Sequence, residues 1–100
     1  MRRLSPAHTA RVAGRAQALA DETRVRIIDV LSRTELPVGR IAAALRIEPS
    51  IASKHLQVLF REGLVMRRRA ASTVIYSIAD VHLHDWCRYL GGADLRTTPR

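Results

Sequence analysis

Apolar residues recur at helical spacing along the first two thirds of the chain, and a strand-like alternation replaces that spacing after Gly63. Ser5-Pro6 and Asp21 are typical helix starts, and Gly91-Gly92 is a typical stop. The predicted helices are 6–20, 22–33, 38–45, 49–62 and 81–90, with strands at 64–69 and 73–78. The sequence therefore predicts a mainly α fold with one small β-hairpin, in the order α-α-α-α-β-β-α.

The third and fourth helices are separated only by the three residues 46–48, a turn length typical of a helix-turn-helix. Pro49 has a fixed φ that suits the first position of the fourth helix. The positions predicted to face inward are Ile51, His55, Leu56, Leu59 and Phe60. The basic hairpin that follows has the place of a wing, so the fold class predicted is a winged helix-turn-helix.

The opposite face of the fourth helix is polar, with short hydroxyls, an amide and a cation. Such groups read base edges and bind phosphates, although a merely solvated helix face has the same composition. The arginines of the hairpin alternate between the two faces of a strand, so they cannot all reach one phosphate. The predicted DNA-binding residues are Ser50, Ser53, Lys54, Gln57, Arg67, Arg68 and Arg69.

The charge balance agrees with a nucleic-acid partner. The 17 Lys and Arg residues outnumber the 9 Asp and Glu residues in a chain of 100, and the formal net charge is +8. A polyanion is therefore the expected ligand. Lys54 is the single lysine, and a GC-rich genome explains the arginine bias equally well.

The length indicates one domain at 1–90, followed by a basic, flexible tail at 91–100. We find no phosphate-binding loop, nucleophile elbow or carboxylate pair with a base, so no enzymatic activity is expected. The chain lacks the apolar runs of a signal peptide or a membrane span, which predicts a cytoplasmic protein without a membrane partner.

The last helix carries an apolar stripe that would be exposed at the edge of so small a domain. Burying the stripe against a second copy would add stability, so the sequence predicts a homodimer. The predicted interface residues are Leu83, Trp86, Cys87 and Leu90.

Several motifs together resemble the ArsR/SmtB family of bacterial winged-helix repressors, over roughly residues 15 to 90. The segments that carry the resemblance are ALADETR at 18–24, SKHLQVL at 53–59, EGLV at 62–65, RRR at 67–69 and YSI at 76–78. The resemblance implies a homodimer held by the first and last helices that binds an inverted-repeat operator. It also implies release of the operator when an effector binds.

The metal sites implied by the resemblance are incomplete in this chain. Pro37 and Gly39 occupy the positions of the two cysteines of one family site. Asp80 and His82 match half of a second site, but Ala93 and Arg96 stand where its remaining ligands belong. No metal site and no cofactor are therefore predicted.

If a metal nevertheless binds, Asp80, His84 and Cys87 are the candidate ligands, because helical spacing places them in one stripe. Capping by Asp80 and ordinary packing of Cys87 explain the same residues without a metal. A redox switch at Cys87 is a further alternative.

The function predicted is sequence-specific binding of double-stranded DNA as a repressor. The alternative is a winged-helix module that docks protein or RNA.

Overall fold

The computed structural model describes residues 2–92. Ala93 and Arg96, at the two remaining positions of the implied second metal site, and most of the predicted tail lie outside the described residues. The elements are α1 Pro6–Ala18, α2 Glu22–Leu31, β1 Leu36–Pro37, α3 Val38–Leu45, α4 Pro49–Arg61, β2 Val65–Ala70, β3 Thr73–Ile78 and α5 Leu83–Leu90. The helix-turn-helix followed by a hairpin wing confirms the predicted fold class. Within residues 2–92, no helix combines the length and the apolar character needed to cross a bilayer.

The first two helices begin at side-chain caps that the sequence predicts. The Ser5 hydroxyl accepts the His8 N–H at 3.1 Å, and the Asp21 carboxylate accepts the Arg24 N–H at 3.1 Å. Asp21 has an extended backbone, with φ −154° and ψ 124°. α1 ends at Ala18, two residues before the predicted end at Ala20, and Asp21 then caps α2.

Replacing Asp21 with alanine is expected to lower the free energy of unfolding by about 1 kcal/mol at pH 7, the usual loss for a removed N-cap. The Arg24 N–H holds the pKa of Asp21 below its ordinary value of 3.8. A carboxylate with a lowered pKa stabilises the fold above its unfolded pKa, and that stability disappears as the pH falls through the folded pKa. Urea unfolding should therefore show a gap between the two proteins at pH 7 that narrows below pH 3.8. An equal gap throughout would contradict a charge-dependent cap.

The sheet has three strands rather than the predicted two, in the order β1-β3-β2. Leu36 pairs with Tyr76 and Pro37 with Ile75, both antiparallel. A two-residue strand has no periodicity that a sequence pattern can reveal. Pro37 fits there because β1 is an edge strand, where a missing N–H costs no ladder hydrogen bond.

The core lies between α2, α3, α4 and the sheet. Its fully buried large side chains are Ile27, Ile28, Ile41, Leu56, Leu59 and Val65. Leu83 of α5 belongs to the same core and is only 8% exposed. Its own chain already buries most of Leu83, so this residue can add little surface to the predicted intersubunit interface.

The prediction that Ile51 and Phe60 of α4 face inward is wrong. Ile51 is 45% exposed and Phe60 is 38% exposed, whereas Ala52, the residue after Ile51, is fully buried. Both exposed residues lie at the margins of the apolar stripe. Helical periodicity defines the centre of such a stripe well and its margins poorly.

Candidate nucleic-acid interface

The turn between α3 and α4 presents one face of α4 to solvent. The left-handed conformation of Arg46, with φ 59°, ends α3. Pro49 is the first residue of α4. Ser50, Lys54 and Gln57 are exposed on that face, and Ser53 is half-buried at its side. Among the ion pairs of residues 2–92, none involves Lys54. The ammonium group is therefore available to a phosphate or a base.

A polar network fixes the inner side of α4 to the start of α2. Arg24 Nε donates to the Ala18 carbonyl, and Arg24 Nη1 donates to His55 Nδ1 at 3.2 Å. Because a guanidinium can only donate, His55 Nδ1 is an acceptor and the ring proton lies on Nε2. Asp21 Oδ1 lies 3.9 Å from the same ring nitrogen. His55 is therefore a packed, hydrogen-bonded residue, as predicted, rather than part of the exposed face.

The far end of α4 is held by α1. Arg15 Nε donates to the Glu62 carbonyl at 3.2 Å, directly after the last turn of α4. The Glu62 carboxylate also lies against Gly14 of α1. Contacts at the middle and at the far end of α4 thus orient it with respect to α2 and α1. The sequence pattern revealed neither contact, because the partners are distant along the chain.

The wing places its arginines on two different faces. Val65, Arg67 and Arg69 alternate with Met66 and Arg68 along β2, as strand geometry requires. The Arg67 guanidinium carbon lies 3.8 Å from the centroid of the Phe60 ring, a cation–π contact between wing and α4. The ring of Phe60, which is 38% exposed, therefore has a partner in the wing. Arg67 and Arg69 therefore share the side of the wing that adjoins α4.

Arg68 points to the other side and is neutralised there. Its Nε and Nη2 donate to the two carboxylate oxygens of Glu35, at 3.2 and 2.9 Å. The bidentate hydrogen bonds lower the pKa of Glu35 and raise that of Arg68. The pair is exposed and contributes little to stability. It nevertheless makes Arg68 a weaker candidate for phosphate contact than Arg67 or Arg69.

The candidate metal ligands do not come together. Asp80 precedes α5 and its Oδ1 accepts the His82 N–H at 2.8 Å, while His82 occupies the N-cap position that the sequence assigned to Asp80. His84 Nε2 lies 2.8 Å from Asp29 Oδ1 of α2. In the part of the chain from 2 to 92, no three His, Cys, Asp or Glu side chains are grouped so that they could hold a metal ion.

Cys87 is a half-buried thiol on the inner side of α5. Burial, and secondarily the negative charge of Asp29, raise the pKa of this thiol. We expect iodoacetamide to alkylate Cys87 with a pH midpoint higher than that of the same cysteine in the urea-unfolded chain, because only the thiolate reacts. A midpoint at or below the unfolded value would instead indicate an activated thiol suited to redox sensing.

Four large apolar side chains are exposed on the outer surface of α1 and α5, among polar and charged ones. Trp86 is 46% exposed, and Val12, Tyr89 and Leu90 are also exposed. An open cleft of about 450 Å³ lies between the two helices, with Val12, Leu83 and Trp86 among its lining residues. Trp86 and Leu90 thus lie where the sequence predicted an intersubunit contact.

Comparison with known proteins identifies relatives of the helix-turn-helix. The segment 21–67 matches the family described as bacterial regulatory protein, arsR family. A transcriptional repressor SmtB homolog of Synechocystis sp. is 42% identical over 66 residues, which are 66% of this chain and 50% of that protein. The regulator NmtR of Mycobacterium tuberculosis is 40% identical over 74 residues, or 74% of this chain and 62% of that protein. The chain thus spans less than two thirds of either relative.

The whole domain also matches a solved structure. It is the homodimeric winged helix-turn-helix DNA-binding domain of Mb0332 from Mycobacterium bovis, studied in solution. The TM-score is 0.83 at 30% identity, and the match covers 100% of this chain and 98% of that one. The helix-turn-helix matches the arsR family, and the whole domain matches the M. bovis structure. The chain therefore belongs to the ArsR family of bacterial regulatory proteins, which are DNA-binding transcription regulators.

Proposed function

We propose that this chain is a homodimeric repressor of transcription that acts in the cytoplasm and binds an inverted-repeat operator in double-stranded DNA. The main support for the proposal is the exposed polar face of α4, together with the contact between Arg67 of the wing and Phe60 near the end of that helix. An effector of unidentified chemistry releases the operator. The names of the SmtB homolog and of NmtR support regulation of transcription.

The face of α4 has the groups needed to read a major groove. The groove is about 12 Å wide and admits one helix, whose first turns contact base edges. Ser50, Ser53 and Gln57 supply hydroxyl and amide groups that donate and accept hydrogen bonds, and Lys54 suits guanine O6 and N7. A protein-docking helix would instead present apolar residues over this face. The composition of the face therefore favours duplex DNA.

The exposed apolar side chains of α1 and α5 support the homodimer. Leaving Trp86 and Leu90 in water is unfavourable for a domain of this size, and a second copy would cover them. The M. bovis relative is described as homodimeric. A two-fold axis between the copies presents two α4 helices to one side of the DNA, so the operator should be an inverted repeat.

Selection from random-sequence duplex DNA tests the proposed function. We expect enrichment of an inverted repeat whose half-sites are about 10 base pairs, or a multiple, apart. Binding should persist in EDTA, because we propose no resident metal or cofactor. Enrichment of no sequence, with tight binding to structured RNA or to a protein, would favour the docking-module alternative.

Single substitutions should separate base reading from phosphate binding. Lys54→Ala is expected to lower the preference for the operator over random DNA by about 1–3 kcal/mol. Arg69→Ala should weaken binding to both DNAs alike and reduce the salt slope by about one. Arg68→Ala is the matched control and should have a smaller effect, because Glu35 already neutralises Arg68. Fluorescence anisotropy at several salt concentrations measures all three. Equal effects of Arg68→Ala and Arg69→Ala would contradict the assignment of the two faces of the wing.

A further inference from the structure

Ile51 is an aliphatic side chain at the edge of the exposed polar face of α4. It is the third residue of the helix and is 45% exposed. The core contact at this level of α4 comes from Ala52, which is fully buried, and Ile51 is not among the residues packed against the core. Its neighbours Ser50 and Lys54, one before it and three after it, are both exposed. An apolar group therefore lies beside the residues that we assign to base reading.

A single exposed apolar residue needs no special explanation on an ordinary surface. The position of Ile51 is different, because the first turns of a recognition helix are the part that contacts base edges. Phe60, the other exposed apolar residue of α4, lies in its last turn and stacks with Arg67. Ile51 thus remains as the apolar group that α4 can offer to a ligand along this face.

The major groove contains one apolar group on its base edges, the C5-methyl of thymine. We propose that Ile51 packs against the C5-methyl of one thymine in each operator half-site and thereby selects thymine at that position. The proposal rests on the function proposed above. The isoleucine side chain can neither donate nor accept a hydrogen bond, so methyl contact is the means by which it distinguishes base pairs.

Replacing thymine with uracil in the selected operator tests the contact. Uracil keeps the hydrogen-bonding edge and lacks only the methyl group. We expect one thymine position in each half-site where uracil weakens wild-type binding roughly fourfold, as burial of one methyl group predicts. The other thymines should tolerate uracil. In Ile51→Ala, the affinities for the thymine and uracil operators should be equal at that position.

Two controls keep the test specific. Met66→Ala removes another exposed apolar side chain, on the face of β2 that carries Arg68, and should retain the fourfold uracil effect. Circular dichroism of Ile51→Ala should match the wild type, because an exposed side chain contributes little to the core. A uracil effect that persists in Ile51→Ala, or its absence at every thymine of a bound operator, would overturn the proposal while leaving the proposed function intact. Failure of the wild type to select any operator would overturn the proposed function itself.

Discussion

Trp86→Glu is expected to convert the proposed homodimer into a monomer and to weaken operator binding by roughly a hundredfold. The substitution places a carboxylate among the exposed apolar side chains of α1 and α5, where an intersubunit contact would leave it buried and unpaired. A monomer engages one half-site at a time and loses the advantage of binding both together. Sedimentation velocity gives the oligomeric state, and fluorescence anisotropy gives the affinity for the operator.

Thr34→Glu is a charge-matched control for Trp86→Glu. Thr34 is exposed in the connection between α2 and β1, outside both α1 and α5. The control variant should sediment as the wild type does. A Trp86→Glu variant that stays dimeric would show that the subunits meet elsewhere. A wild-type monomer at micromolar concentration would contradict the homodimer.

Arg24→Ala is expected to lower the free energy of unfolding by about 2–3 kcal/mol. The guanidinium joins the Ala18 carbonyl to His55 in a largely buried setting, where its side chain is 17% exposed. Its loss leaves a carbonyl and a ring nitrogen without their partner, and each such group costs about 1–3 kcal/mol when it stays dry. Urea unfolding at equal protein concentrations measures the difference.

The matched control for Arg24→Ala is Arg33→Ala, which removes an arginine of a solvent-exposed pair with Asp29. Its effect should stay within about 0.5 kcal/mol. A cycle of Arg24→Ala and His55→Ala should give a coupling energy of at least about 0.5 kcal/mol, since the two side chains are in contact. Additive effects, or equal losses for Arg24→Ala and Arg33→Ala, would show that the network does not anchor α4.

The sequence predicted the elements with strong local signals. Pro49 and Gly63 bracket α4, Asp21 caps α2, and the alternation of Val74, Tyr76 and Ile78 marks β3; the structure has all three elements. These features depend on residues within a few positions of one another. Local propensity and periodicity are therefore sufficient to locate them.

The features that the sequence missed depend on tertiary contacts. Arg68 meets Glu35 across 33 positions, and the exposed ring of Phe60 stacks with Arg67 of the wing. Leu83 has the spacing of an interface residue, yet the first turn of α5 directs it into the core. No local pattern distinguishes an apolar residue that packs within its chain from one that packs against a second copy. The exposed face of α4 was predicted correctly for Lys54 and Gln57 because they lie opposite the centre of its apolar stripe.

Dimethyl sulfate footprinting of the selected operator tests most directly whether α4 reads the major groove. The reagent methylates guanine N7 in the major groove and adenine N3 in the minor groove, so it reports the two grooves separately. If α4 of each subunit lies in the major groove, we expect protection of guanine N7 in two patches about one helical turn, or a multiple, apart on one side of the duplex. Protection confined to adenine N3, or N7 reactivity unchanged by bound protein, would contradict α4 as the recognition helix.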